Sequence, residues 1–334
     1  MATFSFPSVQ KQISNVCGKI IPTTITADEH GYSIRTVTAH GLLHVEAALS
    51  PLPEKRTEVG SSPLVKQLLH EPETVTIIDT EYGGLYNVAC LSDEEIWTSG
   101  GDNTMKLYSI NHGSLLKSIT TKSRHEPYDI AVTKSEDLVY TDYWDRSVNI
   151  VKNEKIEEMF TLQNWKPCGV CGTFSGDFLV ILNNDDNKQS TVVRFSSSTE
   201  KQIIQFDDKG KPLYSFGSYI TENRNLDICV SDYGARAVVV VNHAGKLRFR
   251  YTGRIPAPKN KPFYPLGIIS DSQSHILTAD LENYCVHIID QDGQFLRYLD
   301  CGLSKPHGLC TDTNDGLFVA QIKNGQMKKI IYLK

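Results

Sequence analysis

The chain has 334 residues, of which 40% are hydrophobic and 22% charged, and its formal net charge is -5. This length and composition suit one large β domain or two ordinary domains with well-filled cores. The mildly acidic balance argues against a surface that follows a nucleic-acid backbone by charge alone, although it leaves room for a local basic patch.

Residues 1–71 are the first region in chain order. They include the polar stretch SPLPEKRTEVGSSP, and we interpret them as a linker or arm that is partly extended. Within the arm, TTITADEHGYSIRTV is a candidate for a local hairpin. The first residues lack the basic head and unbroken apolar stretch of a secretory signal, and the chain has no apolar run long enough for a membrane helix. We therefore expect a cytoplasmic protein with no membrane partner.

A repeated unit of about 40 residues fills residues 72–334. Each copy contains short strands rich in Val, Ile, Leu and Tyr, separated by turns such as DQDG, NHAG and TNDG in which Gly supplies a positive φ. The copies are predicted to start near Leu85, Pro127, Pro167, Leu226, Pro265 and Pro306.

The repeat predicts how the copies assemble. A four-stranded unit of this size cannot bury both faces alone, so copies must stack, and a closed ring leaves few exposed edges. Six copies therefore predict an all-β fold, a six-bladed β-propeller. Because the last copy has room for only three strands, we expect a strand near residues 74–80 (TVTIIDT) to complete the final blade and close the ring.

The units GLCTDTNDGLFVA and GIISDSQSHILTADLENYCVHIIDQDGQFL resemble NHL repeats. The region from about Pro72 to Lys334, with NVACLSDEEIWTSGGDNTMKLYSI and NLDICVSDYGARAVVVVNHAGKLRFRYTG, is similar to the C-terminal propeller of the tripartite-motif NHL proteins, especially the molluscan set. That resemblance implies a module that selects the substrate of an E3 ubiquitin ligase or binds RNA. A RING finger needs a series of paired Cys and His ligands, and only Cys17 precedes Leu85, so this chain lacks that catalytic part.

Aromatic and basic residues coincide near the predicted strand ends. Such residues dominate binding hot spots and also stack on bases. The predicted recognition face consists of Tyr143, Trp144, Arg146, Trp165, Lys166, Tyr233, Arg236, Tyr264 and Tyr284. We expect a protein substrate or adaptor to bind there, with single-stranded RNA as the alternative ligand. The competing interpretation is that these residues are scattered over the surface or pack between blades.

Two further patterns favour structural roles. Cys168 and Cys171 form a C-x-x-C motif, but no second pair completes a zinc site, and the repeat places Cys171 in an innermost strand. Asp142, Asp232 and Asp280 recur at the end of the second strand, where each is expected to cap a turn. An Arg follows the first two at a spacing of four and is expected to bridge strands or blades.

Catalytic patterns are weak. A metal-bearing propeller of lactonase type needs several carboxylates from different blades, whereas the first-strand positions offer oxygen side chains only at Asn87 and Asp129. The nucleophile elbow, the Walker loop and the dinucleotide fingerprint are all missing. We therefore expect no catalytic site, no cofactor or metal, and no small-molecule substrate.

Overall fold

The computed structural model describes residues 65–334 in full. Before them it describes only the backbone strands β1 (Thr24–Asp28), β2 (Gly31–Arg35), β3 (Val37–Thr38) and β4 (Gly41–Leu42). β1 pairs with β2 and β3 with β4, both antiparallel, so the segment considered as a hairpin contains one. The rest of the predicted arm lies outside the described residues. By its contacts the chain divides into Met1–Leu64 and Val65–Lys334, a few residues before the predicted boundary at 72.

After β5 (Leu68–Asp79), the second unit forms six antiparallel four-stranded sheets, the blades. Blade 1 contains β6 (Leu85–Cys90), β7 (Glu95–Gly100), β8 (Thr104–Ser109) and β9 (Leu115–Thr120), and blade 2 contains β10 (Asp129–Val132), β11 (Leu138–Asp142), β12 (Ser147–Lys152) and β13 (Lys155–Thr161). Blade 3 contains β14 (Trp165–Gly172), β15 (Phe178–Asn184), β16 (Ser190–Ser196) and β17 (Thr199–Ile204), and blade 4 contains β18 (Gly217–Glu222), β19 (Ile228–Asp232), β20 (Ala237–Val241) and β21 (Leu247–Tyr251). Blade 5 contains β22 (Pro265–Ser270), β23 (Ile276–Asp280), β24 (Cys285–Ile289) and β25 (Phe295–Leu299), and blade 6 contains β26 (Pro306–Thr311), β27 (Leu317–Gln321), β28 (Gln326–Leu333) and β5.

The blades close into a six-bladed β-propeller, which confirms the predicted fold. Each innermost strand contacts those of two neighbouring blades, and β26 of the last blade contacts β6 of the first. The apolar residues of the middle strands are almost fully buried because they face the next blade, and they form six hydrophobic clusters, one at each junction between blades. β-branched residues such as those of β20, AVVVV, suit these two-sided buried strands.

Ring closure depends on pairing between distant parts of the chain. β5 pairs antiparallel with β28, with Ile78 opposite Met327 and Thr76 opposite Lys329. Beyond the strand, the Thr80 N–H and hydroxyl both donate to the Gly325 carbonyl, at 3.2 and 2.5 Å. The strand expected near residues 74–80 is therefore the end of a longer strand that begins at Leu68.

The predicted start of the fourth copy near Leu226 is wrong. Leu226 lies in the turn between β18 and β19 with a φ of 66°, and the innermost strand of blade 4 is β18, GSYITE. β18 carries Ser218, Thr221 and Glu222, so its apolar pattern is weaker than that of innermost strands such as β6 and β10. Glu222 is nonetheless buried, because its carboxylate pairs with the Arg194 guanidinium of blade 3 at 2.8 Å.

Close packing at the axis explains the glycines that recur in the innermost strands. A Cβ added to Gly308 would lie 2.5 Å from the Tyr86 carbonyl oxygen, and one added to Gly169 would lie 2.6 Å from the Ser218 carbonyl oxygen. Side chains are excluded at these positions because the backbones of neighbouring blades meet there.

Candidate recognition face

The alternating strand direction gives the propeller two distinct ends. We call the upper face the end that carries the turn after the second strand of each blade and the connections between blades; the lower face carries the turns after the first and third strands. All nine residues of the predicted recognition face lie in upper-face connections or at strand starts beside them: Tyr143, Trp144, Arg146, Trp165, Lys166, Tyr233, Arg236, Tyr264 and Tyr284. The repeat thus brings them to one side of the propeller.

Five of these residues form the blade 2–3 cluster, namely Tyr143, Trp144, Arg146, Trp165 and Lys166. The rings of Tyr143 and Trp144 meet edge to face, with centroids 5.2 Å apart, and Lys166 Nζ lies 4.8 Å above the Tyr143 ring. The Trp144 side chain is 61% exposed, so a large apolar surface faces solvent. An exposed indole on a supported turn is well suited to bind a partner.

The other two members of the blade 2–3 cluster have structural contacts. Arg146 pairs with Asp185 of blade 3, with Nη1 and Oδ1 2.7 Å apart, which fits the expected bridge between blades. Trp165 is half-buried and packs against the hydrophobic cluster between blades 2 and 3, which contains Val139 and Phe178. Arg146 and Trp165 therefore make contacts within the propeller whether or not a partner is bound.

The remaining residues, Tyr233, Arg236, Tyr264 and Tyr284, form the blade 4–5 cluster. The Arg236 guanidinium donates to the Tyr264 hydroxyl at 2.7 Å and lies 4.6 Å from the centroid of the same ring. The Tyr233 ring lies 5.4 Å from Tyr264, and Lys259 Nζ lies 5.9 Å above Tyr284. In this cluster, cations therefore lie over the rings of Tyr264 and Tyr284.

Buried aspartates fix the upper-face turns, as the repeat predicted. Asp232 accepts N–H groups from Ser215, Phe216 and Ala235 at 2.7 to 3.0 Å, which ties the turn of blade 4 to the connection that enters it. Asp142 accepts the N–H groups of Trp144 and of its neighbour Asp145, together with the Ser123 hydroxyl. The exposed side chains are thus presented by turns with little freedom.

Asp280 anchors a larger buried network in blade 5. Asp280, Cys285 and His287 bring three potential metal-ligand atoms within 4.8 Å of one another. The His287 Nε2–H donates to Asp280 Oδ2 at 3.1 Å, and His287 Nδ1 accepts from the Tyr251 hydroxyl at 2.9 Å. The Asn283 amide donates to the same Asp280 oxygen at 2.7 Å. Because these hydrogen bonds occupy both imidazole nitrogens, the network fits a structural role better than a metal site.

Ring side chains also meet at the propeller axis, between the two clusters. Tyr219 occupies in blade 4 the repeat position that Asn87 holds in blade 1, and its hydroxyl donates to Asn87 Oδ1 at 2.8 Å. His307 Nδ1 lies 2.9 Å from the Tyr86 carbonyl oxygen and 3.0 Å from the Tyr219 hydroxyl. A carbonyl only accepts, so Nδ1 carries the proton.

The axial rings continue into the blade 2–3 cluster. Tyr128 lies 6.4 Å from Tyr219 and stacks on Tyr143 at 5.7 Å, measured between ring centroids. Burial lowers the pKa of His307 to about 4, so this imidazole is neutral at pH 7. Sequence reasoning identified Asn87 but did not place Tyr128 and Tyr219 at the axis. The signal that could have found them is their place at or next to the first-strand positions of the repeat.

The first-strand oxygen side chains predicted at Asn87 and Asp129 are both hydrogen-bonded within the protein, and Tyr219 adds a third that the sequence prediction did not include. Asp129 accepts the N–H of Ile130 and, across the blade junction, the N–H of Val170, both at 2.9 Å. Burial raises its pKa to about 8. The Asn87 amide donates to Ser99 Oγ at 3.0 Å. Within residues 65–334, these side chains at the axis are therefore hydrogen-bonded within the protein and do not form a converging set of free carboxylates.

The two cysteines of the C-x-x-C motif lie in or against the hydrophobic core. Cys168 is fully buried and accepts a hydrogen bond from the Asn183 amide at 3.0 Å, and Cys171 packs against the core cluster between blades 3 and 4. Burial raises the pKa of both thiols above their usual range. Cys90 Sγ lies 3.1 Å from Cys310 Sγ where the first and last blades meet.

A groove of about 780 Å³ opens on the lower side between blades 2 and 3. Its walls include Lys134, Met159 and Phe174, and none of the nine predicted residues lines it. Within the described part of the chain there is no helix long and apolar enough to cross a membrane.

The fold and the site define the chain as a six-bladed β-propeller with an aromatic and basic upper face. No protein-family model matches the sequence, and no curated protein matches it. Solved structures are similar in fold. A gluconolactonase from Xanthomonas campestris shares 12% identity over 80% of this chain and 95% of its own, with a TM-score of 0.62.

Two further propellers have comparable similarity. The WD40 propeller domain of Doa1 is 9% identical over 79% of this chain and 98% of its own, with a TM-score of 0.58. A chain of the nidogen/laminin complex is 14% identical over 64% of this chain and 79% of its own, with a TM-score of 0.53. At these identities the likeness establishes the propeller fold alone.

Proposed function

We propose that this chain is a protein-recognition propeller that binds a protein substrate or adaptor on its upper face. The observation that carries the proposal is Trp144, a 61% exposed indole held on a turn tied down by Asp142 and packed edge to face against Tyr143. Ordered aromatic residues contribute much contact area to a complex at small entropic cost. The likeness to a chain of the nidogen/laminin complex is compatible with a protein-binding propeller.

We further propose that this recognition serves a ubiquitin ligase of tripartite-motif type. The support is the resemblance of the repeats, such as GLCTDTNDGLFVA, to NHL repeats. In that arrangement the propeller binds the substrate while a RING finger on a joined or partner chain recruits the ubiquitin-charged enzyme. The described cysteines are all free thiols, which fits the cytoplasmic location we propose.

Single-stranded RNA is the second candidate ligand. Trp144 offers an open ring for base stacking, and Arg236 offers positive charge on the same face. Protein is favoured because Arg146, next to the open ring, is paired with Asp185, which reduces the positive charge there. A strand of RNA would need cations beside the stacked base.

The test is a pull-down from a cytosolic extract with the full chain, performed with and without ribonuclease and analysed by mass spectrometry. Trp144→Ala is the test variant. Phe174→Ala is its matched control, because Phe174 is an exposed aromatic residue, 43% accessible, in a lower-face turn. Protein partners should survive ribonuclease, be lost with Trp144→Ala and be retained with Phe174→Ala.

Two results would contradict the proposal. Partners that Trp144→Ala retains as well as the wild type does would exclude the upper-face indole as the contact. Partners lost on ribonuclease treatment, with RNA recovered before it, would favour the RNA reader. The ligase context has a separate test: a tripartite-motif RING fused to the chain should ubiquitinate the captured protein, and Trp144→Ala should abolish that modification.

A further inference from the structure

A long connection in the upper face, residues 252–264 (TGRIPAPKNKPFY), joins blade 4 to blade 5 and is anchored at both ends. The Tyr298 hydroxyl donates to the Arg254 carbonyl at 2.8 Å. The buried Asn283 side chain accepts the Lys261 N–H and donates to the Lys261 carbonyl, both at 3.0 Å. Phe263 is inserted into the core between blades 4 and 5. The loop therefore has a defined surface despite its length.

The anchored loop exposes an aliphatic side chain among cations. Ile255 is 92% exposed, and Arg254, Lys259 and Lys261 of the same loop are exposed as well. A single exposed aliphatic residue is common on protein surfaces, so Ile255 alone would indicate nothing. Its position on a fixed loop between three cations distinguishes it.

Three cations of this region lie over aromatic rings. Measured from the cationic group to the ring centroid, Arg236 lies 4.6 Å from Tyr264, Arg254 lies 5.4 Å from Phe295 and Lys259 lies 5.9 Å from Tyr284. A ring restricts the position of a cation but does not neutralise it. The N–H donors therefore stay charged and available to an anion.

Carboxylates do not neutralise these cations. Among residues 65–334, no carboxylate lies within 4.0 Å of the charged nitrogens of Arg236, Arg254, Lys259 or Lys261. Some arginines elsewhere in the propeller do have carboxylate partners, such as Arg194 with Glu222 at 2.8 Å and Arg248 with Asp292 at 2.6 Å. The upper face beside blades 4 and 5 thus keeps uncompensated positive charge on a protein whose net charge is -5.

We propose that the basic loop surface, defined as Arg236, Arg254, Ile255, Lys259 and Lys261, binds an acidic peptide segment of the protein partner, with an apolar side chain of that segment against Ile255. Charge complementarity identifies the partner's chemistry, because a surface of fixed, unpaired cations attracts carboxylates and steers their approach. The inference rests on the proposed function and specifies the partner class that this part of the upper face selects.

The same contacts disfavour RNA on this surface. Binding of single-stranded RNA depends on bases stacking on open ring faces. Here the rings of Tyr264, Phe295 and Tyr284 each have a cation over one face. The chemistry offered to a ligand is therefore charge and an aliphatic contact.

The test measures fluorescence anisotropy of a labelled peptide, EELEELEE, with the full chain at low salt. The comparison probes are the same peptide with Gln for every Glu and a decauridylate RNA. The test variant is Arg254→Glu with Lys259→Glu. The matched control is Lys155→Glu with Lys246→Glu, which changes the net charge equally at two exposed, unpaired lysines on the lower side.

We expect the acidic peptide to bind the wild type and the control alike, roughly tenfold more weakly to the test variant, and more weakly as salt rises. Ile255→Ser should weaken binding by a smaller factor. Equal affinity of the wild type and the test variant for EELEELEE would overturn the inference. The inference would also be overturned if the wild type bound decauridylate more tightly than EELEELEE and the test variant lost that binding. If binding of extract proteins still requires Trp144 but EELEELEE does not bind the chain, the proposed function is supported and the inference of an acidic segment is wrong.

Discussion

The blade 2–3 cluster and the blade 4–5 cluster are built on the same repeat positions, but their arginines have different partners. Arg146 and Arg236 both follow a buried aspartate by four residues and adopt similar positive φ values, 56° and 53°. Arg146 is paired with Asp185, and the nearby Trp144 ring is exposed. Arg236 instead lies over the Tyr264 ring and stays unpaired.

The difference comes from the neighbouring blade. In blade 3 the turn after β15 brings Asp185 to Arg146, whereas the loop that enters blade 5 brings Tyr264 to Arg236. The repeat fixes where a side chain emerges, and the contact made across the junction decides whether that side chain keeps its charge. Specificity in this propeller is therefore set at the junctions between blades.

The largest expected effect concerns the support beneath the blade 4–5 cluster. Asp280→Ala should lower the free energy of unfolding by about 3 to 5 kcal/mol, because it leaves the buried His287 and Asn283 without their shared acceptor. Urea unfolding measures the loss. Asp142→Ala, the corresponding change in blade 2, should cost less because its neighbour Ser123 is only partly buried. A loss below about 1 kcal/mol for Asp280→Ala would contradict the network's role.

The stability contributed by His307, at the axis between the clusters, should decrease in acid. The folded-state pKa of His307, about 4, lies below its ordinary 6.5, so on acidification the unfolded chain binds this proton first. Its contribution to stability is complete above pH 6.5 and declines as the pH falls to 4, by up to about 3 kcal/mol. The difference in unfolding free energy between wild type and His307→Gln, followed from pH 7 to 4, measures it. A pH-independent difference would argue against a neutral, buried His307.

The pH dependence that Asp129 contributes to stability should have the opposite sign. Its folded-state pKa of about 8 lies above its ordinary 3.8, so its contribution is present at low pH and is lost as the pH rises through 8. Comparison with Asp129→Asn separates this effect from that of His307. A wild-type stability that rises between pH 6 and 9 relative to Asp129→Asn would contradict the raised pKa.

Within the blade 2–3 cluster, the two tryptophans should behave differently. Trp165→Ala should destabilise the fold by about 2 kcal/mol because it removes part of the core between blades 2 and 3, whereas Trp144→Ala should change stability by less than about 0.5 kcal/mol. Thermal unfolding of both variants tests this. Equal destabilisation would mean that Trp144 is part of the core.

The smallest effect separates the two arginines. Arg146→Ala should cost up to about 1 kcal/mol at low salt, since an exposed ion pair contributes little, and the cost should vanish at about 1 M salt. Arg236→Ala should cost about 0.5 to 1 kcal/mol through its ring contact, with less dependence on salt. Identical salt dependence in urea unfolding would remove the distinction between the clusters.

The sequence predicted the features that depend on local repetition. Alternating apolar residues and Gly, Asn and Asp turns recur in each blade, so the blade count, the extra strand and the common side of the nine residues could be inferred. The polar strand β18 broke the pattern, which hid Tyr219 and shifted the fourth copy. The contacts of Asp185 and Tyr264 with the two arginines were not predictable, because they depend on how neighbouring blades meet.

Binding on the upper face can be tested by amide hydrogen exchange of the full chain, alone and bound to the protein partner captured from extract. We expect slower exchange on binding in the upper-face connections, residues 143–146, 233–236 and 252–264, with no change in the lower-face turns. Protection confined to lower-face turns, such as residues 133–137 and 173–177, would contradict it.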